Sequence, residues 1–166
     1  MTLTSYTTYN DIRAILGVNP KELPDADLAL ETYLFELETK LQEVGTDLIA
    51  KYTEAAAAVL TATETSLQKG LYRAVRLYAS SSVSLSVAYS LPMRAQKSIT
   101  DGKAGLDRFT GTPYKDTVDN LLNLAASYRD DLAKQYILSA GGTPATITTI
   151  PAFMGVSSPS YDPVTG

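Results

Sequence analysis

The fold class depends on the stretch LYRAVRLYASSSVSLSVAYSL, residues 71–91. Its second half alternates apolar residues with small or polar ones, which is typical of a half-buried strand. The alternating residues are Val83, Leu85, Val87, Tyr89 and Leu91. The stretch also places apolar residues on one face of a helix, namely Leu71, Val75, Tyr78, Val83, Val87 and Leu91. We favour the helix over residues 79–91, because the pattern leading into it is helical and Pro92 offers a stop.

Towards the N-terminus, the pattern predicts three further helices. A short one covers Tyr9 to Gly17, with Thr8 or Asn10 as its cap, and another begins at Asp25 after Pro24. Apolar residues then recur at steps of three and four, at Leu30, Leu34, Leu37, Leu41, Val44 and Leu48. Gly45-Thr46-Asp47 separates this helix from one beginning at Leu48, and the helix containing the deciding stretch begins near Thr63 or Thr65.

Towards the C-terminus, residues 92–113 are irregular, and Asp101-Gly102 within them is a turn signal for a hairpin. A long helix follows from Tyr114 to Leu132 and is closed by Gly141-Gly142. The sequence therefore predicts an all-α fold, an antiparallel bundle of about four helices with a projecting loop or short hairpin. Residues 1–140 form the helical domain, and residues 141–166 form an extended C-terminal tail.

The composition argues against catalysis. The chain has no Cys and no His, which removes thiolate nucleophiles, the usual general base near neutral pH and most transition-metal ligands. Ser66-Leu-Gln-Lys69 matches S-x-x-K without the partner motifs of that chemistry, and the carboxylate pairs lack calcium-loop spacing. We predict no enzyme, no cofactor and no metal site, and we disfavour an enzyme that uses carboxylates and a divalent ion.

The distribution of charge indicates which class of molecule the chain binds, and its hydropathy indicates where the chain is located. Residues 1–69 carry 11 acidic and 5 basic side chains, whereas residues 70–166 carry 7 acidic and 9 basic ones. An acidic chain is poorly suited to gripping phosphate backbones, and uneven charge favours oriented contact between proteins. No signal peptide and no run of about 18 apolar residues is present, so we expect a protein of the cytoplasm without membrane contact.

Residues 141–166 differ from the rest of the chain. They hold four prolines, four glycines and a single charged residue, Asp162. Such a segment needs another surface if its apolar side chains are to be buried. Those side chains are Ile147, Ile150, Phe153, Met154, Val156 and Tyr161, which we predict to bind a partner. Residues 146–150 could add a strand to a sheet edge of that partner.

The order of motifs resembles the head–tail connector proteins of tailed bacteriophages, which are also called adaptor or head-completion proteins. NDIRAILGV (residues 10–18) and ELPDADL (22–28) correspond to the opening of that family. YSLPMRAQKSITDGKAGLDRF (89–109) corresponds to its loop after a long helix, and PYKDTVDNLLNLAASYRDDL (113–132) to its last helix. The likeness covers most of residues 9–138, and the long tail departs from the smaller connectors.

The resemblance implies a structural protein of the virion, assembled in the host cytoplasm. Its subunits form a ring, typically dodecameric, that binds the portal protein above and tail or nozzle proteins below. DNA passes through the ring without sequence-specific binding, and an acidic lining would let it slide. Under this interpretation the loop contacts an adjacent subunit or a tail component through Lys97, Ile99, Asp101, Lys103 and Arg108.

A second function, the binding of a partner peptide, is also compatible with the sequence. A helical module that captures a partner peptide, such as a cytoplasmic chaperone or regulator, would have the same composition. A ring buries the flanks of each subunit, whereas a peptide-binding module leaves a groove open.

Deleting residues 143–166 tests the tail. We expect the helical body to remain folded and incorporation into particles to be abolished, because the apolar docking residues are lost. Circular dichroism of the truncated chain and its recovery with purified particles provide the measurement. Normal incorporation of the truncated chain would rule out the docking role.

Overall fold

The computed structural model describes residues 1–94, 98–101, 104–107 and 111–144. These ranges contain seven helices: α1 (Leu3–Tyr6), α2 (Tyr9–Leu16), α3 (Asp25–Leu28), α4 (Glu31–Val44), α5 (Leu48–Leu60), α6 (Ser66–Arg94) and α7 (Gly111–Ser139). Two short strands, β1 (Ser98–Asp101) and β2 (Ala104–Asp107), pair antiparallel between α6 and α7. The chain is mostly helical, as predicted.

Helix α6 runs through the whole deciding stretch, so the helical interpretation of residues 79–91 is confirmed. The expected stop at Pro92 is wrong by two residues, since α6 ends at Arg94. Pro92 lacks the N–H that would bond four residues back, and only two residues of α6 follow it. The chain can therefore complete the last residues of the helix beyond it.

The serines in α6 explain why its sequence resembles a strand. They are small enough for other helices to approach closely, and several of their hydroxyls bond to neighbouring elements instead of to solvent. Ser80 Oγ lies 2.7 Å from Thr7 Oγ1 of the α1–α2 link, and Ser84 Oγ donates to the Ile12 carbonyl of α2 at 3.4 Å. No buried side-chain nitrogen or oxygen of the described residues lacks a partner, so this polar packing is fully satisfied.

Helix α4 meets α6 through a second set of serine contacts. Ser86 Oγ donates to Glu36 Oε1 at 2.9 Å, and Lys40 Nζ donates to Ser82 Oγ at 3.2 Å. Glu36 and Lys40 also form an ion pair at 2.6 Å. The ion pair is thereby anchored to α6 by a hydroxyl at each end.

Local capping sets the helix boundaries where the sequence predicted them. Thr8 caps α2, with its Oγ1 accepting from the Asp11 N–H at 3.0 Å, and Thr65 caps α6 in the same way through the Gln68 N–H at 3.2 Å. Gly17 and Gly141 end α2 and α7 with φ of 65° and 76°, a left-handed conformation that favours glycine.

The helix that was predicted to begin at Asp25 and to continue past Leu30 is interrupted, so that prediction is wrong in detail. The helix beginning at Asp25 ends after one turn at Leu28, and the chain is extended at Leu30 before α4 begins. Leu30 is therefore 41% exposed and lies outside the buried stripe that it was predicted to join. The break lets Leu28 reach the core completely while Asp25 pairs with Arg13.

The main core surrounds α6. Tyr33, Tyr52 and Tyr78 are 8%, 1% and 4% exposed, so the interpretation of these tyrosines as core residues is confirmed. A second, smaller cluster joins the C-terminal half of α6 to α7 and consists of Leu85, Ala88, Leu121 and Ala125. Since Gly70 lies against Gln135 while Leu85 packs near Leu121, α6 and α7 run antiparallel.

Arg13 fixes the link between α2 and α3. Its side chain is buried, and its Nε donates to the Leu23 carbonyl at 2.8 Å. Its guanidinium also contacts Asn10 Oδ1 and forms an ion pair with Asp25.

We expect Arg13→Ala to lower the free energy of unfolding by about 2–3 kcal/mol, because the Leu23 carbonyl loses a charge-assisted bond in the interior. Asp25→Asn, which removes only the exposed partner, is expected to cost less than about 1 kcal/mol. Urea unfolding of both variants provides the comparison. Equal losses would mean that the ion pair, and not the carbonyl contact, holds the link.

Candidate partner-binding surface

A groove runs along the surface where α2, α6 and α7 meet. Its central cavity, of about 370 Å³, lies among Asp11, Ala14, Ile15, Arg76, Leu77, Ser80, Leu124 and Tyr128. A cavity of about 380 Å³ continues from Leu77 and Tyr128 towards the C-terminal end of α7. Another, of about 410 Å³, continues from Ile15 and Leu124 towards the N-terminal end of α7. Because neighbouring cavities share these residues, they form one continuous groove.

The groove exists because α2 is short. Its eight residues contact α6 from Arg76 to Ala88, and the surface between α6 and α7 is left open beside it. Leu77 is 49% exposed at the centre of this surface, and Ile15, Leu124 and Tyr128 are half-buried around it. Apolar side chains therefore form much of the lining of the central cavity, together with Asp11, Arg76 and Ser80.

Arg76 stands at the edge of the groove and is held from two sides. Its Nη1 donates to the Tyr72 hydroxyl at 2.9 Å, and its Nη2 lies 3.6 Å from Asp11 Oδ2. The hydrogen bond with Tyr72 raises the pKa of Arg76, so the guanidinium stays charged. The groove thus has a cation of defined position on the α6 side.

A column of stacked tyrosines connects Arg76 to the core. The ring of Tyr72 stacks on Tyr52 at 5.7 Å, and Tyr52 stacks on Tyr6 at 5.3 Å. The Tyr52 hydroxyl donates to the Ser5 carbonyl at 2.6 Å, and the Tyr6 hydroxyl donates to Glu38 at 3.1 Å. Burial raises the pKa of Tyr52 to about 12, and that of Tyr6 is raised by burial and by Glu38.

Most of the sequence-predicted site residues lie outside the described part of the chain. In the predicted loop, Ile99 and Asp101 belong to β1, where Ile99 pairs with Leu106 and Asp101 with Ala104. Lys97, Lys103 and Arg108 lie outside the described residues. All six tail residues, Ile147, Ile150, Phe153, Met154, Val156 and Tyr161, also lie outside them, as does the 146–150 segment. Their partner-binding roles stay predictions.

The groove itself was missed at the level of sequence. Leu77 falls outside the buried face of α6, and its neighbours Arg73 and Arg76 make the local pattern look like a solvated surface. The usable signal was a leucine one and four residues after two arginines, outside the apolar face of the helix. Ile15 and Leu124 complete the groove from distant parts of the chain, which periodicity alone cannot bring together.

The residues considered for catalysis or metal binding have ordinary surroundings. Lys69 Nζ lies 3.6 Å from Glu64 Oε1, and Ser66 is exposed at the start of α6. Within the ranges that the structure describes, no three His, Cys, Asp or Glu side chains are grouped so that they could hold a metal ion. None of the described helices is long and apolar enough to cross a bilayer.

Comparisons with family models, with curated proteins and with solved structures found no match to this chain.

The raised pKa of Tyr52 leads us to expect that the protein loses stability at alkaline pH. Since the folded-state pKa of Tyr52 lies at about 12, above the ordinary 10.0, its stabilising contribution is complete below pH 10. It disappears as the pH rises from 10 through 12. We expect the urea midpoint to fall over this range, and to fall less steeply in Tyr52→Phe, which is less stable at neutral pH because the bond to Ser5 is absent. Equal steepness in both proteins would contradict the assignment.

Proposed function

We propose that this chain is a virion structural protein, a head-to-tail adaptor of a tailed bacteriophage. Several copies form a ring below the portal, extend the DNA channel and join the head to the tail. The open groove of α2, α6 and α7 is the observation that carries the proposal. Partly exposed apolar side chains such as Leu77, gathered along a groove, favour contact with another protein. A ring supplies that contact from the neighbouring subunit.

The resemblance of residues 9–138 to phage connectors supports the same function. The helices that correspond to its motifs are α2, α3, the end of α6 and α7. In the proposed assembly, the long helices form an antiparallel bundle, the β1–β2 hairpin projects towards an adjacent subunit or tail protein, and the tail docks on a partner. Residues 1–140 act as the connector domain and residues 141–166 as the docking segment.

The charge distribution supports passage of DNA rather than capture of DNA. Net charge is −4, and the acidic residues concentrate in the first 69 positions. A channel lined by this half would repel phosphates and let the genome slide during ejection. The role proposed here is structural and requires no catalysis, cofactor or metal.

A peptide-binding helical module is the second candidate, and the same groove favours it. Its central cavity of about 370 Å³ falls within the size range of ligand pockets. Such a module would bind a peptide as a monomer or dimer. The two candidates therefore differ in oligomeric state.

Light scattering on the purified chain, alone and mixed with portal protein, tests the proposal. We expect a species many times the 17.8 kDa subunit mass, formed alone or only with portal, because a ring buries the groove on each copy. Chains mixed with an unrelated ring-forming protein provide the control. A monomer that ignores portal would exclude the adaptor and favour the peptide-binding module.

A further inference from the structure

The groove follows one stripe of α7 towards the end of the described chain. Steps of four and three residues separate the α7 residues that line it, which are Thr117, Leu121, Leu124, Tyr128, Asp131 and Gln135. Residues with this spacing share one face of a helix, and the next positions on that face are Leu138 and Gly142. The groove therefore leads to the turn that closes α7.

That turn redirects the chain at the same end of the groove. Gly141 has a φ of 76°, and the Gly142 N–H donates to the Ile137 carbonyl at 2.9 Å. A helix closed in this way does not continue along its axis. The described residues end at Pro144, so the rest of the tail begins close in sequence to Gln135, the last residue of the groove.

The apolar residues of the tail recur every three positions, at Ile147, Ile150, Phe153 and Val156. A polyproline II segment has three residues per turn, so this spacing places the four side chains on one face. Pro144, Pro151 and Pro159 favour that conformation in this part of the chain. Segments of this kind make no internal hydrogen bonds and bind grooves that contain aromatic side chains. The groove supplies Tyr128.

The length of this apolar face matches that of the groove. Ile147 to Val156 spans about 28 Å at about 3.1 Å per residue. Thr117 to Gln135 spans about 27 Å at about 1.5 Å per residue of α7. From Pro144 to Ile147 the tail covers about 9 Å, close to the distance from the turn back to Gln135. The tail can therefore cover the whole groove in one pass.

The groove suits an occupant without charge. Its lining holds two arginines and two aspartates, which are Arg73, Arg76, Asp11 and Asp131. Arg76 Nη2 already lies 3.6 Å from Asp11 Oδ2, so a charged occupant would compete with an existing pair. Residues 145–161 contain no Asp, Glu, Lys or Arg. An uncharged apolar segment covers the groove without separating that pair.

We propose that residues 145–156 fold back along α7 and fill the groove of their own chain. Ile150 then lies beside the exposed Leu77, and Phe153 lies beside Leu124. The contact needs no second copy, because the place where the described chain ends and the matching lengths identify the occupant. It goes beyond the proposed function, since it forms in a free subunit.

Disulfide cross-linking in the full chain tests this contact, because the sequence has no cysteine of its own. Leu77→Cys with Ile150→Cys joins the groove to the residue placed beside it. Leu122→Cys with Ile150→Cys is the matched control, since Leu122 is 49% exposed like Leu77 and is not among the residues that line the groove. We expect the first pair to oxidise within one chain roughly tenfold faster or more, because docking raises the effective concentration of the two thiols. Mass spectrometry of the digested protein measures both rates.

The mass of the product identifies the chain that supplies the tail. A link within one chain keeps the 17.8 kDa mass, whereas a link between chains doubles it. Equal rates for the two pairs overturn the proposal. A first pair that links only between chains also overturns it and assigns the groove to the tail of another copy. Circular dichroism checks folding, and Leu124→Cys with Phe153→Cys replaces the first pair if that pair does not fold.

A consequence for assembly rests on the proposed function. A ring uses the groove for the neighbouring subunit, so the tail must leave the groove before the ring forms. The disulfide between positions 77 and 150 should therefore prevent assembly with portal protein, and reduction should restore it. Assembly of the oxidised chain at the rate of the reduced chain overturns this consequence. If the unmodified chain also fails to join portal, the adaptor function is wrong, while the cross-linking rates still decide the contact.

Discussion

Burial of helix α6 is the constraint on which the rest of the structure depends. It contacts α1, α2, α4, α5 and α7, so most of its circumference faces other helices. A helix surrounded in this way would ordinarily be apolar all round. Here Ser80, Ser81, Ser82 and Ser84 are buried with it. Hydrogen bonds to neighbouring elements from Ser80, Ser82 and Ser84, and to the α6 backbone from Ser81, offset the cost of removing these hydroxyls from water. The serines therefore set where α2 and α4 can lie.

The packing of the helices around α6 explains which features of the fold could be predicted from the sequence and which could not. Local signals such as Thr8, Gly17, Thr65 and Gly141 placed helix ends correctly, because capping depends on adjacent residues. Leu30 was misplaced because the break at Ala29 and Leu30 depends on Leu28 reaching the core and on the distant Arg13. The groove could not be predicted for the same reason, since three elements far apart in sequence form it.

The groove and the tyrosine column are parts of one arrangement. Tyr72 holds Arg76 at the groove edge, and stacking transmits that position from Tyr6 and Tyr52 in the core. The cation is thus supported by rigid rings rather than by a flexible surface contact. Side chains fixed in this way lose little entropy on binding, which favours recognition of a partner of defined shape.

Leu77 and Ser86 are nine positions apart on α6, about two and a half turns, so they lie on opposite sides of that helix. One side of α6 therefore faces the groove, and the other side holds α4. A substitution at Leu77 can thus change the groove without touching the contacts that hold α4 in place.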